Sequence, residues 1–306
     1  MILESILDNL TPVPILHLPS EEGRAEIYVA LLHTLPLGSH KIIAAKAMID
    51  NAEQTYDITD QTVFVDQSSG NAASAEALVC TIRGYHYECF MPENMAPEKI
   101  QQIRALGGKI HFTPPEEFVD GAKKRAEAYC QEQPGTKIYL DQSKNPASPR
   151  GYEAIGRQFI DSFPSIDAFV SGGGTYGTIT GISRILKEHD NDIQVTCVES
   201  VYAPRIHSRR NKYEMPKFVG QKITGFGGEV LQGNAQPDLY DDIVLTNEDT
   251  ALRYMRELHK TGLLLGKSSA AVLNAAQEVA QRLGTGKTVV TNTYDSFSKM
   301  TSEMVY

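Results

Sequence analysis

The sequence has little that would tie it to a metal, a nucleic acid or a membrane. Its four cysteines, Cys80, Cys89, Cys130 and Cys197, are scattered and form no CxxC pair, so neither a zinc site nor a disulfide framework is indicated. The eight histidines contain no HxxxH pair and no His/Cys cluster, and no metal is expected. Cationic side chains are outnumbered: 29 Lys and Arg against 38 Asp and Glu give a net charge of −9. That balance argues against nucleic acid and anionic membrane as partners. No apolar run is long enough to span a bilayer, and the N-terminus lacks a basic stretch followed by an apolar one. A cytoplasmic location is the expectation. Repeats and low-complexity tracts are missing as well. The remainder is ordinary globular composition, 41% hydrophobic over 306 residues, enough for two domains or one large α/β unit.

The most informative stretch is Ser171-Gly172-Gly173-Gly174-Thr175-Tyr176-Gly177-Thr178-Ile179-Thr180-Gly181. The apolar run 166–170 before it reads as a buried strand, and Ile182, Ile185 and Leu186 follow at helical spacing. A glycine-rich turn feeding a helix presents unpaired N–H groups at the positive end of the helix dipole. That is a phosphate cradle, to which Thr175 and Thr178 add hydroxyls. No Gly-Lys-Ser/Thr follows and the glycines are not spaced G-x-G-x-x-G. Turns of this kind also occur without a ligand.

Lys41 follows the turn Leu35-Pro36-Leu37-Gly38 and opens an apolar helix containing Ile42, Ile43, Met48 and Ile49. A cation in the first turn opposes the dipole and is costly to bury. Either it snorkels to the surface, or its amine is needed uncharged as a Schiff-base former. Residues 62–66 read as a strand ending in Gln67-Ser68-Ser69-Gly70-Asn71 before a helix of small residues. This is a helix cap or a second anion site, suited to a carboxylate.

Further strands are expected at 26–32, 85–91, 109–112, 138–140, 193–198 and 288–291. Helices are expected at 2–10, 97–106, 115–130, 151–163, 246–260 and 270–283, the last capped by Ser268 or Ser269. Such alternation argues an α/β architecture with parallel strands, whose ligands collect at the strands' carboxyl ends. Residues 201–223 read as irregular and locally basic, with Arg205, His207, Arg209, Arg210, Lys212, Lys217 and Lys222. Gly225-Phe226-Gly227-Gly228 reads as a flexible turn.

Taken together, these blocks resemble the fold-type II pyridoxal-phosphate (PLP) enzymes, in the cysteine synthase and cystathionine β-synthase branch. Leu37-Gly38-Ser39-His40-Lys41 is similar to the block ending in the Schiff-base lysine, and Ser68-Ser69-Gly70-Asn71 to the Thr-Ser-Gly-Asn loop. Met91-Pro92-Glu93-Asn94-Met95 with Ala105-Leu106-Gly107-Gly108 is similar to the mobile subdomain. Gln142 with Asn145-Pro146, Gly174 to Gly181, and Gly266-Lys267-Ser268-Ser269 follow in the family's order. The resemblance implies two three-layer α/β/α domains with mostly parallel sheets, as in the tryptophan synthase β-like fold. The smaller would be 1–12 with 35–145, carrying the mobile subdomain, and the larger PLP-binding domain 13–34 with 146–306. No regulatory domain is expected after the last strand.

It also implies roles. Lys41 would hold PLP and remove the substrate's α-proton. Gly174, Thr175, Tyr176, Gly177 and Thr178 would bind the phosphate, and Asn71 the ring's 3-oxygen. Ser268 would face the pyridine nitrogen and, being a serine, leave it unprotonated. Ser68, Ser69, Asn71, Ala72 and Gln142 would hold the substrate carboxylate. Gly225 would line the mouth, and Arg209 or Arg210 would meet a phosphate leaving group. The implied reaction is β-replacement on O-phosphoserine or O-acetylserine through an aminoacrylate, adding sulfide or an amine, in a homodimer. A serine/threonine dehydratase or racemase is the alternative, and a non-catalytic binding protein the third reading. Departures from the family pattern suggest a specialised relative, such as a 2,3-diaminopropionate-type synthase. Ile42-Ile43 follows the lysine where Asp-Arg is usual, Tyr176 replaces a glycine, and Ala72-Ala73 replaces Thr-Gly. Asn292-Thr293-Tyr294-Asp295-Ser296-Phe297 stands where Pro-x-x-Gly-x-Arg-Tyr is usual. Tyr176 must point away from the cofactor or over it.

Overall fold

Strands and helices alternate along nearly the whole chain. The computed structural model describes residues 2–19, 21–68, 70–212, 214–215, 222–228 and 230–299. In chain order they form β1 (Ile15–Leu18), β2 (Glu26–Ala30), α1 (Lys41–Thr55), β3 (Val63–Gln67), α2 (Asn71–Arg83), β4 (His86–Pro92), α3 (Pro97–Ala105) and β5 (Lys109–Thr113). Next come α4 (Phe118–Gln131), β6 (Lys137–Tyr139), α5 (Ala147–Gly151), α6 (Glu153–Ser162), β7 (Ala168–Gly172), α7 (Gly177–His189) and β8 (Gln194–Ser200). The remainder is α8 (Arg205–Asn211), β9 (Asp242–Thr246), α9 (Glu248–Lys260), α10 (Lys267–Leu283) and β10 (Thr288–Asn292).

The strands form two sheets, ordered β1-β2-β10-β7-β8-β9 and β5-β4-β3-β6. Every pairing is parallel except β1 with β2. Parallel sheets need both faces covered, and alternate residues along each strand face opposite layers. In the larger sheet Phe169, Val195 and Val290 face Phe159 of α6 and Ile182 and Leu186 of α7, while Val170 and Val289 face α10. In the smaller sheet Phe64 and Cys89 face α1 and α2, while Val65 and Phe90 face Ala122 and Ala126 of α4. Both sheets are therefore three-layer α/β/α units. The apolar cluster holding Phe64 also holds Phe169, so one core runs between the sheets. Full burial of each such phenylalanine contributes about 1.5–3 kcal/mol.

Four local expectations are corrected. Residues 2–10 form no helix: the Asp8 carboxylate accepts the N–H groups of Glu4 and Ser5 and closes a turn instead. The basic stretch 201–223 is not wholly irregular, because α8 forms within it. Glu199 caps that helix from β8 by accepting the N–H groups of Ile206 and His207. Gly266, not a serine, is the N-cap of α10. Ser269 lies inside the helix and accepts the N–H of Tyr294 at 2.8 Å. Finally, β1 and β9, outside the expected strands, are the two edges of the larger sheet. No helix among the described residues is long and apolar enough to cross a membrane.

Candidate active site

A cavity of about 850 Å3 opens where the carboxyl ends of both sheets meet. Its walls come from the loops after β3, β6, β7 and β10, joined by Lys41 at the start of α1 and Ser268 in the first turn of α10. The location is the one parallel α/β topology provides for ligands.

The loop after β7 is held by backbone contacts. Gly173 donates to Val198 O at 2.9 Å, and Gly227 donates to Gly173 O at 2.9 Å. The 225–228 turn is thus bonded directly to the glycine loop. A Cβ on Gly174 would lie 1.9 Å from the carbonyl oxygen of Gly225, so only glycine fits there. At Gly181 it would lie 2.0 Å from Pro149 O, which lets α7 pack close against α5. Tyr176 caps α7 with a left-handed φ of 63° and points away from the cavity floor: its phenol donates to Glu199 at 2.8 Å. Its ring and the loop backbone still line the cavity, with Gly174, Thr175, Gly177 and Thr178.

Lys41 reaches this loop from the opposite wall. Its Nζ donates to Thr175 Oγ1 at 3.3 Å. Desolvation lowers its pKa to about 8, although Glu76, Asp66 and Asp295 pull it upward. The neighbouring His40 is held well below its ordinary value, first by burial and then by Lys41, and its Nδ1–H donates to Tyr294 O. A neutral amine at near-neutral pH is what a lysine nucleophile requires.

The loop after β3 forms the adjoining wall. Ser68 Oγ accepts the N–H groups of Gly70 at 3.1 Å and Ala73 at 3.2 Å, which caps α2 and leaves its own proton to donate. Ser69 lies outside the described residues. Ala72 and Gln142 line the cavity. The Gln142 amide donates to Gln67 O at 3.4 Å. Behind them two acidic side chains are fully buried: Glu76 accepts from Tyr87 at 2.6 Å, and Asp66 accepts the Gln142 N–H at 3.3 Å. Burial, reinforced by Glu76, raises the Asp66 carboxyl well above the usual range.

Sequence reasoning missed one side chain at the centre of this wall. Asp295, from the loop after β10, accepts the Asn71 amide at 2.9 Å and the Ser268 hydroxyl at 3.3 Å. Asn71 Oδ1 is left buried without a protein partner. The only available signal was that 292–297 departs from the family pattern.

Arg209 and Arg210 are not brought to the site. Neither lines the cavity, and Arg210 donates instead to the carbonyls of Pro237, Tyr240 and Asp241. With Ile206 and Ser208 buried, α8 turns Arg209 and Arg210 outward, whereas Arg205 is half-buried and donates to Gly228 O at 2.8 Å. From the same basic stretch, Lys222 does reach the cavity wall, while Lys217 lies outside the described residues.

The profile of a family described as pyridoxal-phosphate dependent enzyme matches residues 6–295. The chain belongs to that family. Cysteine synthase from Staphylococcus aureus is 33% identical over 295 residues, covering 93% of this chain and 92% of the relative. The O-acetylserine-dependent cystathionine β-synthase of Helicobacter pylori superposes with a TM-score of 0.88 at 28% identity, covering 100% of this chain and 99% of that one. A hydrogen sulfide-producing enzyme of Fusobacterium nucleatum superposes with a TM-score of 0.87 at 27% identity, covering 97% and 99%. The chain is accordingly a PLP-dependent enzyme of the β-replacement class, in the cysteine synthase branch.

Proposed function

We propose that this enzyme carries out β-replacement on O-acetyl-L-serine, with sulfide as the nucleophile. The observation that carries the donor assignment is the cavity wall. Among the described residues it holds Lys41, Lys99, Lys123, Lys222 and Lys267 but no arginine. Arginine grips a phosphate leaving group bidentately where lysine acts only as a point charge, and an acetyl group needs neither. Lys123 and Lys267 are already paired, with Asp141 at 3.1 Å and Glu248 at 3.0 Å. The O-acetylserine dependence of the H. pylori enzyme points the same way.

Three features suit the residues present to PLP. The amine of Lys41 is depressed to about 8. The turn 174–176 leads into the N-terminus of α7, whose first N–H groups suit a phosphate, and at Gly174 the backbone packs too closely on Gly225 O to admit a Cβ. The buried Asn71 Oδ1 lacks a protein partner. In this reading Lys41 carries the cofactor, Gly174, Thr175, Tyr176, Gly177 and Thr178 hold its phosphate, and Asn71 and Ser268 meet its ring. When bound, the cofactor withdraws electrons from the substrate's α-carbon and so favours loss of the β-substituent. The chain's own contributions are local. Lys41, once released, takes the α-proton, its low basicity matched to near-neutral pH. Ser68, through its undonated proton, and Gln142 with the N-terminus of α2 orient the substrate carboxylate. The pinned 225–228 turn narrows the mouth at Gly225. The two sheets would head separate domains, 1–12 with 35–145 and 13–34 with 146–306, working as a homodimer.

The test is turnover of the purified holoenzyme with O-acetylserine, O-phosphoserine or serine, with and without sulfide. Cysteine formed from O-acetylserine and sulfide, reduced about 10²–10⁴-fold in Lys41→Ala, supports the proposal. Keto acid released from serine without a nucleophile would instead establish a dehydratase.

A further inference from the structure

Asp295 carries no role in the reaction as described, yet it is the buried anion at the centre of the ring-facing wall, 7% exposed. Both its oxygens are engaged: Oδ2 by the Asn71 amide at 2.9 Å and Oδ1 by the Ser268 hydroxyl at 3.3 Å. An ionised carboxylate is only an acceptor, and a serine hydroxyl has one proton and two lone pairs. The proton of Ser268 is therefore committed to Asp295. Toward any other neighbour Ser268 offers lone pairs alone.

We propose that Asp295, acting through Ser268, holds the ring nitrogen of the bound cofactor in its protonated form. The proposal rests on the reading above that Ser268 faces that nitrogen. A bare pyridine nitrogen also offers only a lone pair, and two acceptors facing each other leave both unsatisfied. With a proton, the ring nitrogen donates to Ser268 Oγ, Ser268 donates to Asp295, and each group is matched. No proton leaves Ser268; the ring nitrogen's proton comes from solvent as the cofactor loads. This reverses the expectation drawn from Ser268 alone.

The charge balance agrees. A buried carboxylate is costly without a counter-ion, and its two hydrogen-bond donors here are neutral. The cations acting on it are Lys99 and Lys299, with Lys41 also close enough to feel its charge. Lys41 is committed to the cofactor once loaded. Burial raises the Asp295 carboxyl above its ordinary range, and a ring cation one hydroxyl away would offset that cost. Asp295 is thus a positioning residue. The protonated ring it sustains is a stronger electron sink than an unprotonated one, which widens the chemistry available beyond simple loss of a β-substituent.

The test is nitrogen-15 NMR of the holoenzyme loaded with ring-labelled PLP, in the wild type and in Asp295→Asn, Asp295→Ala and Ser268→Ala. The expected result is a pyridinium resonance in the wild type, lost in both Asp295 variants and shifted in Ser268→Ala. A neutral-pyridine resonance in the wild type overturns the proposal, as does a pyridinium resonance unmoved by both Asp295 variants. If the wild type is neutral while Ser268→Ala shifts its resonance, the site reading stands and only the role of Asp295 falls. An unmoved resonance in Ser268→Ala removes the site reading and the proposal with it. The wild-type spectrum decides the protonation state even if a variant fails to retain cofactor.

Discussion

The phenol of Tyr176 and the carboxylate of Glu199 are joined by a buried 2.8 Å hydrogen bond, and the same carboxylate caps α8. A tyrosine at a φ of 63° is in a region that bulky side chains rarely occupy, at a cost of about 1–3 kcal/mol. The bond to Glu199 and the stacking of its buried ring on Tyr240 oppose that cost. One anion therefore ties the candidate phosphate loop to the helix beyond β8.

Replacing Tyr176 by Phe removes the hydrogen bond and keeps the ring. The Glu199 carboxylate retains its backbone donors, so the loss should be moderate, about 1–2 kcal/mol. Thermal unfolding of the holoenzyme should show a lower Tm for Tyr176→Phe and a larger drop for Glu199→Ala, which also uncaps α8. Equal melting of wild type and Tyr176→Phe would mean the tether contributes nothing.

Gly174→Ala is a sharper perturbation. The new Cβ would collide with a backbone carbonyl 1.9 Å away, so either the glycine loop or the 225–228 turn must shift. Cofactor retention, measured by dialysis and absorbance, should fall about tenfold or more, since displacements near 1 Å at positioned groups have effects of that order. Gly228→Ala is the control: its Cβ would meet only the end of the flexible Gln232 side chain at 3.2 Å, and near-normal retention is expected.

The pH dependence of cofactor capture follows from Lys41. Only the free amine condenses with an aldehyde, and desolvation sets the folded-state value at about 8. In stopped-flow mixing of apoenzyme with PLP, the rate should rise as pH increases through about 8 and level off above it. A rate still climbing toward pH 10.5, the ordinary lysine value, would show that the amine is not desolvated.

Much of this site was legible because its signals are local. A strand, a glycine run and a helix start are contiguous at 168–181, and Lys41 announces itself as a charge opening an apolar helix. The unread parts depend on partners far away in the chain. Helix α8 looked irregular because its cap is supplied by Glu199, on a different element. The basic charge of Arg209 and Arg210 was visible, but not which side of α8 would be buried. Asp295 was noticed only as a departure from a pattern, since nothing near it in sequence reveals that Asn71, 224 residues earlier, and Ser268 converge on its two oxygens.

That long separation has a consequence for how the enzyme comes into being. Strand β10 docks between β2 and β7, and Asp295 follows directly from it. During synthesis, domains fold as the chain emerges, and the smaller sheet, β3 to β6, is complete once residue 139 has been made. The larger sheet stays split, with β1 and β2 parted from β7, β8 and β9, until β10 is inserted. Lys41 is thus among the first parts of the cavity to be translated and Asp295 among the last, so the wall formed by Asn71, Ser268 and Asp295 closes only after residue 295 has been made.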